Sequence, residues 1–215
     1  VRKTAKIEND QHVFIAGMTG SGKTVLAKVY LAGNTKPVYV LDSKGTFVWN
    51  EVPNDKQITI ETIKDLQKAA DKFQFVIYRP RFEELNFDTY NEFFQFCYFR
   101  RKCTVLVDEA MEICPNTQRI PPFYKGILTR GRELDVNVWS CTQRPSGIPV
   151  IIYSEASHWF IFKLQNPADR EKMANYSGFD EFMQTLPMFY FLYWTSIKSD
   201  KPPIRGTLKF ERGAK

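Results

Sequence analysis

The chain has 215 residues, 43% of them hydrophobic and 25% charged, with a formal net charge of +6. That size and balance suit one α/β domain and argue against a largely disordered chain. No apolar run approaches the ~20 residues of a spanning helix. The positive excess is compatible with a polyanionic partner without identifying one, and two histidines and four cysteines with no C-x-x-C pair give a zinc site little support.

Taken in chain order, strands and helices alternate. The basic start, Val1–Lys6, has no apolar segment after it and does not read as a secretory signal. His12–Ala16 reads as a short buried strand running into a Gly-rich turn. Lys23–Leu31 reads as a helix with Gly33-Asn34 as its C-terminal cap. Pro37–Leu41 is a second strand, ending at the turn Asp42-Ser-Lys-Gly45. Ile58–Ile60 is expected to be a strand, Thr62–Lys72 a helix and Phe75–Tyr78 a strand. Asp88–Arg101 has the 3.6-residue aromatic spacing of a packed helix (Phe93, Phe94, Cys97, Tyr98).

Cys103–Val107 follows as a strand, then a polar, Pro-containing loop over Cys114–Pro122 and a helix over Phe123–Leu134. Val136–Cys141 is a strand leading into Thr142-Gln-Arg-Pro145. A short helix near Val150–Glu155, a strand at His158–Leu164, helices near Pro167–Tyr176 and Phe179–Thr185, and strands at Met188–Trp194 and Ile204–Phe210 complete the domain. Near-continuous apolar strands separated by helices predict a mainly parallel central sheet flanked by helices on both faces. We expect one domain over residues 1–215, with a core at about 12–165 and C-terminal helices and strands over 166–210. Cys103 and Cys141 lie in or beside apolar runs, and the cysteines are expected to be buried, reduced thiols.

Gly17-Met-Thr-Gly-Ser-Gly-Lys-Thr24 satisfies G-x-x-x-x-G-K-[ST], the Walker A pattern of a P-loop, between a strand and a helix. Glycines let successive amides curl around phosphate oxygens, and the helix that follows turns its positive end to the same anion. Nucleotide contacts are therefore expected from Gly17, Thr19, Gly20, Ser21, Gly22, Lys23, Thr24 and Val25. Lys23 reaches the β- and γ-phosphates of ATP, and the Thr24 hydroxyl holds Mg²⁺. Thr104–Glu109 has the Walker B form, an apolar strand ending in two acids. Asp108 is the expected second metal ligand, and Glu109 the group that orients and deprotonates the attacking water. Gln143 ends the next strand, where its amide either faces the γ-phosphate or is an ordinary polar loop residue. Arg130-Gly-Arg132 either caps a helix end or supplies an arginine finger to a neighbouring subunit.

Thr129–Ser146, with its Arg-bearing helix and its strand ending in Thr-Gln-Arg-Pro, resembles the matching stretch of the FtsK/HerA superfamily of DNA-pumping ATPases. Together with Gly17–Thr24 and Asp108-Glu109 the resemblance spans about residues 12–165. It implies a RecA-like core, a homo-oligomeric ring, usually a hexamer, and double-stranded DNA in the central channel. It also implies Gln143 as polar sensor and, by register, Arg132 rather than Arg130 as the trans-acting arginine. Asp42–Gly45 resembles the segment after the superfamily's second strand, although exposed turn chemistry explains it adequately.

The compact length is most similar to the genome-packaging ATPases of membrane-containing icosahedral viruses. That likeness implies a site of action in the host cytoplasm or at a virion vertex and a capsid-vertex or viral membrane protein as partner. Alternatives are a translocase of a plasmid, conjugative or integrated element, and an ATP-dependent assembly switch resembling Zot. Candidate DNA-phosphate contacts are Arg79, Arg81, Arg100, Arg101, Lys102, Lys198, Lys201 and Arg205, although each reads more readily as a solvated surface charge.

Overall fold

The computed structural model describes residues 5–208. The first strand, β1 (Val13–Ala16), leads through a glycine loop to α1 (Lys23–Leu31), and β2 (Val38–Leu41) follows. Next come β3 (Gln57–Ile60), α2 (Leu66–Ala70), β4 (Phe75–Tyr78), α3 (Phe87–Arg100) and β5 (Cys103–Val107). Then come α4 (Ala110–Ile113), α5 (Pro122–Leu134), β6 (Val136–Thr142), α6 (Ile151–Ser154) and β7 (His158–Phe162). The chain closes with α7 (Pro167–Ser177), β8 (Tyr190–Thr195) and β9 (Ile204–Thr207). The last strand was expected to run on to Phe210, which lies outside the described residues.

The strands form one sheet in the order β3-β4-β2-β5-β6-β1-β7-β8-β9. Every pairing from β3 through to β7 is parallel, and β8 and β9 add antiparallel. This is the mainly parallel, helix-flanked sheet of a RecA-like P-loop fold, with the antiparallel pair on one edge. β1, β2, β4, β5, β6 and β7 are buried along their whole length. Because side chains alternate across a strand, each all-apolar strand feeds two cores at once. Phe14 and Ala16 pack on one face with Phe93, Phe94, Tyr124 and Ile127, under α3 and α5. Val13 and Ile15 pack on the other with Leu26, Ala27, Tyr30 and Leu31 of α1.

The second face is covered by less helix than the alternation of elements suggests. Phe47, Trp49 and Val52, in an irregular segment after β2, finish that core beside α1. Trp49 stands edge-on to both Phe47 and Phe75. The helix expected over Thr62–Lys72 is a 3-10 turn at Ile63–Asp65 followed by α2, and Phe179–Thr185 holds only a 3-10 turn at Asp180–Met183. Gly33 is not the left-handed cap its position suggested. α1 ends at a right-handed Ala32, whose N–H still reaches Lys28 O. The four cysteines are buried and free, as expected.

The glycine of Arg130-Gly-Arg132 has a packing reason. A Cβ on Gly131 would stand 2.3 Å from Val136 O and 2.6 Å from His12 Cε1. Here α5 lies directly on the start of β6 and on the His12 ring, whose Nδ1 accepts the Val138 N–H at 2.9 Å. No helix among the described residues is long and apolar enough to cross a membrane.

Candidate functional site

The glycine loop leaves β1 between two neighbouring strand tips. Gly17 N–H donates to Thr142 O at the end of β6, and Met18 N–H to Lys163 O just past β7. The turn into α1 passes through Gly22 in the left-handed region, at φ +111, where a Cβ would meet Leu208 Cδ1 at 2.5 Å. A side chain at that position would be excluded by both backbone and neighbour. The start of α1 has no side-chain cap, so its first-turn amides face the loop unpaired by a cap. The Ser21 hydroxyl is buried with no partner among the described residues. An oxyanion is the ligand that such a nest accommodates.

Lys23 is buried inside this loop, its Nζ donating to Gly17 O at 2.7 Å and Met18 O at 3.2 Å. Burial pushes its ammonium below the ordinary lysine value, against the pull of the nearby Asp108 and Glu109 carboxylates. Thr24, one residue on, donates its hydroxyl to Asp108 Oδ1 at 2.9 Å. β6 stands between β1 and β5, yet the P-loop helix reaches across it to the acidic tip of β5. Asp108 is held above the usual carboxylate range by burial first. The Thr24 hydroxyl opposes that shift, and the charges of Asp42 and Glu109 add to it.

A hydroxyl and a buried carboxylate oxygen in contact, beside two further acids, are hard oxygen donors suited to Mg²⁺. Thr24 and Asp108 are the residues that would hold it. Among the described residues no group of three or more His, Cys, Asp or Glu side chains forms a metal cluster. Mg²⁺ at P-loops does not need one, because phosphate and water fill its remaining positions.

Glu109 is buried and held at both oxygens. Its Oε1 accepts the Gln143 N–H at 3.2 Å and its Oε2 accepts from Lys44 Nζ at 2.9 Å. Gln143 sits at the tip of β6, and its side-chain Oε1 accepts the Thr19 hydroxyl at 2.9 Å. Gly17, Thr19, Gly20, Ser21, Gly22, Lys23 and Thr24 of the loop, Val25 behind them, Asp108, Glu109 and Gln143 thus occupy one edge of the sheet, where β1, β5 and β6 end.

Arg132 does not join them. It lies in the last turn of α5, exposed, its Nε 3.6 Å from Asp10 Oδ2 at the opposite edge. Arg130 is exposed beside Tyr98, whose hydroxyl is 3.5 Å from its Nη1. The seven residues of β6 separate α5 from Gln143, about 23 Å at ~3.3 Å per residue.

Four side chains of this edge were not assigned to the site from the sequence. Asp42 was placed in an exposed turn and is instead fully buried. It accepts the N–H groups of Thr46 and Phe47, each at 3.1 Å, and Arg79 Nε at 2.9 Å. Arg79, expected among DNA-contacting cations, also donates to Phe47 O and is committed to bracing this turn. Lys44 projects from the turn. Asp169, buried in the first turn of α7, accepts Arg144 Nε at 3.0 Å and Ser146 N–H at 2.9 Å, so it holds the loop after Gln143. The remaining candidate cations do not form one surface. Arg81 lies at the P-loop edge, paired with Glu61. Arg100, paired with Asp71, precedes β5 together with Arg101 and Lys102, while Lys198 and Lys201 follow β8, so these five lie toward the opposite edge in two groups separated by β6, β1 and β7. Arg205 lies over the Tyr190 ring.

The likeness to known proteins is one of structure and not of sequence. No protein-family model and no curated protein matches the chain. Among solved structures, the genome packaging NTPase B204 from Sulfolobus turreted icosahedral virus 2, in complex with sulfate, superposes with a TM-score of 0.76 at 17% identity, covering 96% of this chain and 100% of that one. This chain shares the fold of that packaging NTPase. The DNA-packaging ATPase B204 from Sulfolobus Turreted Icosahedral Virus gives a TM-score of 0.69 at 20% identity, covering 93% of this chain and 97% of that one. VirB4 of Thermoanaerobacter pseudethanolicus gives 0.65 at 10% identity, over 96% and 93%. B204 from the second virus has also been solved with AMPPCP, ATP-γS and AMP.

Proposed function

We propose that the chain is an ATP hydrolase that drives double-stranded DNA, as a viral genome-packaging motor. The contact between Thr24 at the start of α1 and Asp108 at the tip of β5 carries this reading, because it brings the phosphate loop and the acidic pair into one site. The shared fold with a packaging NTPase solved in nucleotide complexes supports it over 93% to 95% of the chain.

In this reading the loop amides and Lys23 bind the β- and γ-phosphates of ATP. Bound Mg²⁺, held by Thr24 and Asp108, supplies charge neutralisation at the phosphate oxygens. Glu109 orients a water and takes its proton as the water oxygen bonds to the γ-phosphorus and the bond to the ADP oxygen breaks. Gln143, bonded to Thr19 through its side chain and to Glu109 through its N–H, senses the γ-phosphate. Arg132 cannot reach its own loop across the length of β6, so as a finger it serves a neighbouring copy, and the working form is a homo-oligomeric ring, proposed as a hexamer. DNA contacts are to phosphates, because a motor must move along any sequence. The site of action is the host cytoplasm or a virion vertex, with a capsid-vertex or viral membrane protein as the docking partner.

A second reading, a conjugative DNA translocase, is supported by the fold likeness to the pCW3 conjugation coupling protein TcpA. The TcpA structure gives a TM-score of 0.63 at 14% identity, covering 92% of this chain and 60% of that one. Both readings require ATP turnover stimulated by double-stranded DNA. The deciding measurement is ATPase activity with and without DNA, on the native sequence and on Glu109→Gln. The expected result is DNA-stimulated hydrolysis in the former and nucleotide binding with only a slow residual hydrolysis in the latter. Turnover indifferent to DNA would leave an ATP-dependent assembly switch as the better reading.

A further inference from the structure

We infer that Lys44 is a positioning residue for hydrolysis, orienting the carboxylate of Glu109 through the contact at Oε2. The inference rests on the reading of Glu109 as the water-activating group.

Three observations carry it. Glu109 is nearly inaccessible, with 3% of its side chain exposed, and Lys44 is the only side-chain cation among the described residues in ion-pair contact with it. A buried carboxylate without a partner is costly, so this contact fixes where the group points. Its second oxygen is fixed by the Gln143 N–H, and two donors on two oxygens define the plane of the carboxylate. Each oxygen retains a second lone pair with which to accept from water.

The turn that presents Lys44 is braced independently of the Lys44 side chain. Asp42 holds the amides of Thr46 and Phe47, Arg79 ties Asp42 to Phe47 O, and Gly45 N–H closes the turn on Asp42 O at 3.2 Å. These bonds, gathered on the buried Asp42, fix the backbone from which Lys44 reaches out.

The sheet itself makes the meeting possible. β2 and β5 are adjacent and parallel, with Leu41 level with Val107, and Asp108 N–H donates to Leu41 O. The turn after β2 and the acids after β5 therefore leave the sheet side by side.

The test is a double-mutant cycle on the full chain with double-stranded DNA present. It reads single-turnover hydrolysis of ATP, the affinity for a non-hydrolysable ATP analogue, and the melting temperature. Lys44→Ala is expected to slow hydrolysis by about tenfold to a hundredfold, the usual effect of a catalytic group misplaced by about an ångström. Analogue affinity should stay within about threefold, the fold being undisturbed because the turn's brace does not use this side chain. Lys44→Arg should restore most of the rate. Added to Glu109→Gln, Lys44→Ala should cost no further rate, since its target is already gone. An unchanged rate in Lys44→Ala would overturn the inference. So would a loss of equal size in the Glu109→Gln background, or a rate loss matched by weaker analogue binding, since either would mean that Lys44 acts on the nucleotide and not on Glu109. Absence of hydrolysis by the unaltered chain would overturn the functional reading together with this one.

Discussion

The hydroxyl of Thr19, in the phosphate loop, donates to the side-chain oxygen of Gln143 at 2.9 Å, so the tip of β6 is latched to the loop from β1. In the proposed mechanism a γ-phosphate would share that space, and the latch is a single, exposed, neutral hydrogen bond worth about 0.5–1.5 kcal/mol. Gln143→Ala should therefore shift analogue affinity by no more than about tenfold while lowering DNA-stimulated turnover by more than that. Isothermal titration beside steady-state kinetics separates the two. Loss of affinity with kcat unchanged would make Gln143 a binding residue and not a sensor.

The brace beneath Lys44 makes a separate prediction. Asp42 is fully buried and meets Arg79, of which a third of the side chain is exposed. Removing one partner of a buried ion pair costs about 3–5 kcal/mol. Asp42→Ala should lose that order of stability in urea unfolding and should slow hydrolysis as well, because the Lys44 turn loses its anchor. Arg79→Ala, which leaves the fully buried Asp42 carboxylate without its cation, should cost at least as much. DNA binding by Arg79→Ala should be close to that of the native chain, since its guanidinium is already committed to the turn.

Gly131 fixes how closely α5 lies on β6. Its replacement by Ala sets a methyl against a backbone carbonyl at 2.3 Å and the His12 ring at 2.6 Å, neither of which can rotate away. Gly131→Ala should destabilise by about 1–3 kcal/mol or more, the range of overpacked cores. Gly126→Ala in the same helix is the control. Its methyl would meet only Tyr98 Cε2, at 3.3 Å, and alanine is the better helix former, so a change within about 1 kcal/mol is expected.

Burial holds the His12 imidazole neutral down to about 4, from an ordinary 6.5. Its Nδ1 accepts the Val138 N–H, which leaves the proton on Nε2. Between pH 6.5 and 4 the unfolded chain takes a proton at this site that the folded chain refuses, so stability falls as pH falls through that window. The loss should approach about 3 kcal/mol at its acid end, at 1.36 kcal/mol per pH unit. His158, buried between Gln11 and Tyr193, is lowered to about 4 by burial and adds a loss of the same sign. Urea midpoints at pH 7 and pH 5 test this, with His12→Asn expected to remove part of the slope. A stability that is flat across that interval would contradict it.

What the sequence made legible was local. Strand, glycine loop and helix from Val13 to Leu31 are adjacent in the chain, and so are β5 and its two acids, so composition and spacing were enough. The site's supports join residues far apart: Asp42 to Arg79, Lys44 to Glu109, Arg144 to Asp169. Each of these depends on strand order, which sets β2 beside β5 and β6 between β5 and β1, and no local pattern encodes that order. The same reason hid the role of Asp42–Gly45, whose turn chemistry was visible while the burial of Asp42 was not. α4 was missed because four residues, Ala110–Ile113, are too few to show a helical period. Arg79 looked like a free cation because its acid lies 37 residues away.

The separation of Arg132 from the phosphate loop by the whole length of β6 has a consequence for assembly. If one copy lends this arginine to the next, the lending surface and the receiving surface are different parts of the molecule, and the contact is heterologous. A twofold pair could not serve both of its sites through one such contact. Any open row would end with one unserved active site, and only closure removes that end. Catalytic completeness would then belong to the circle and not to the subunit.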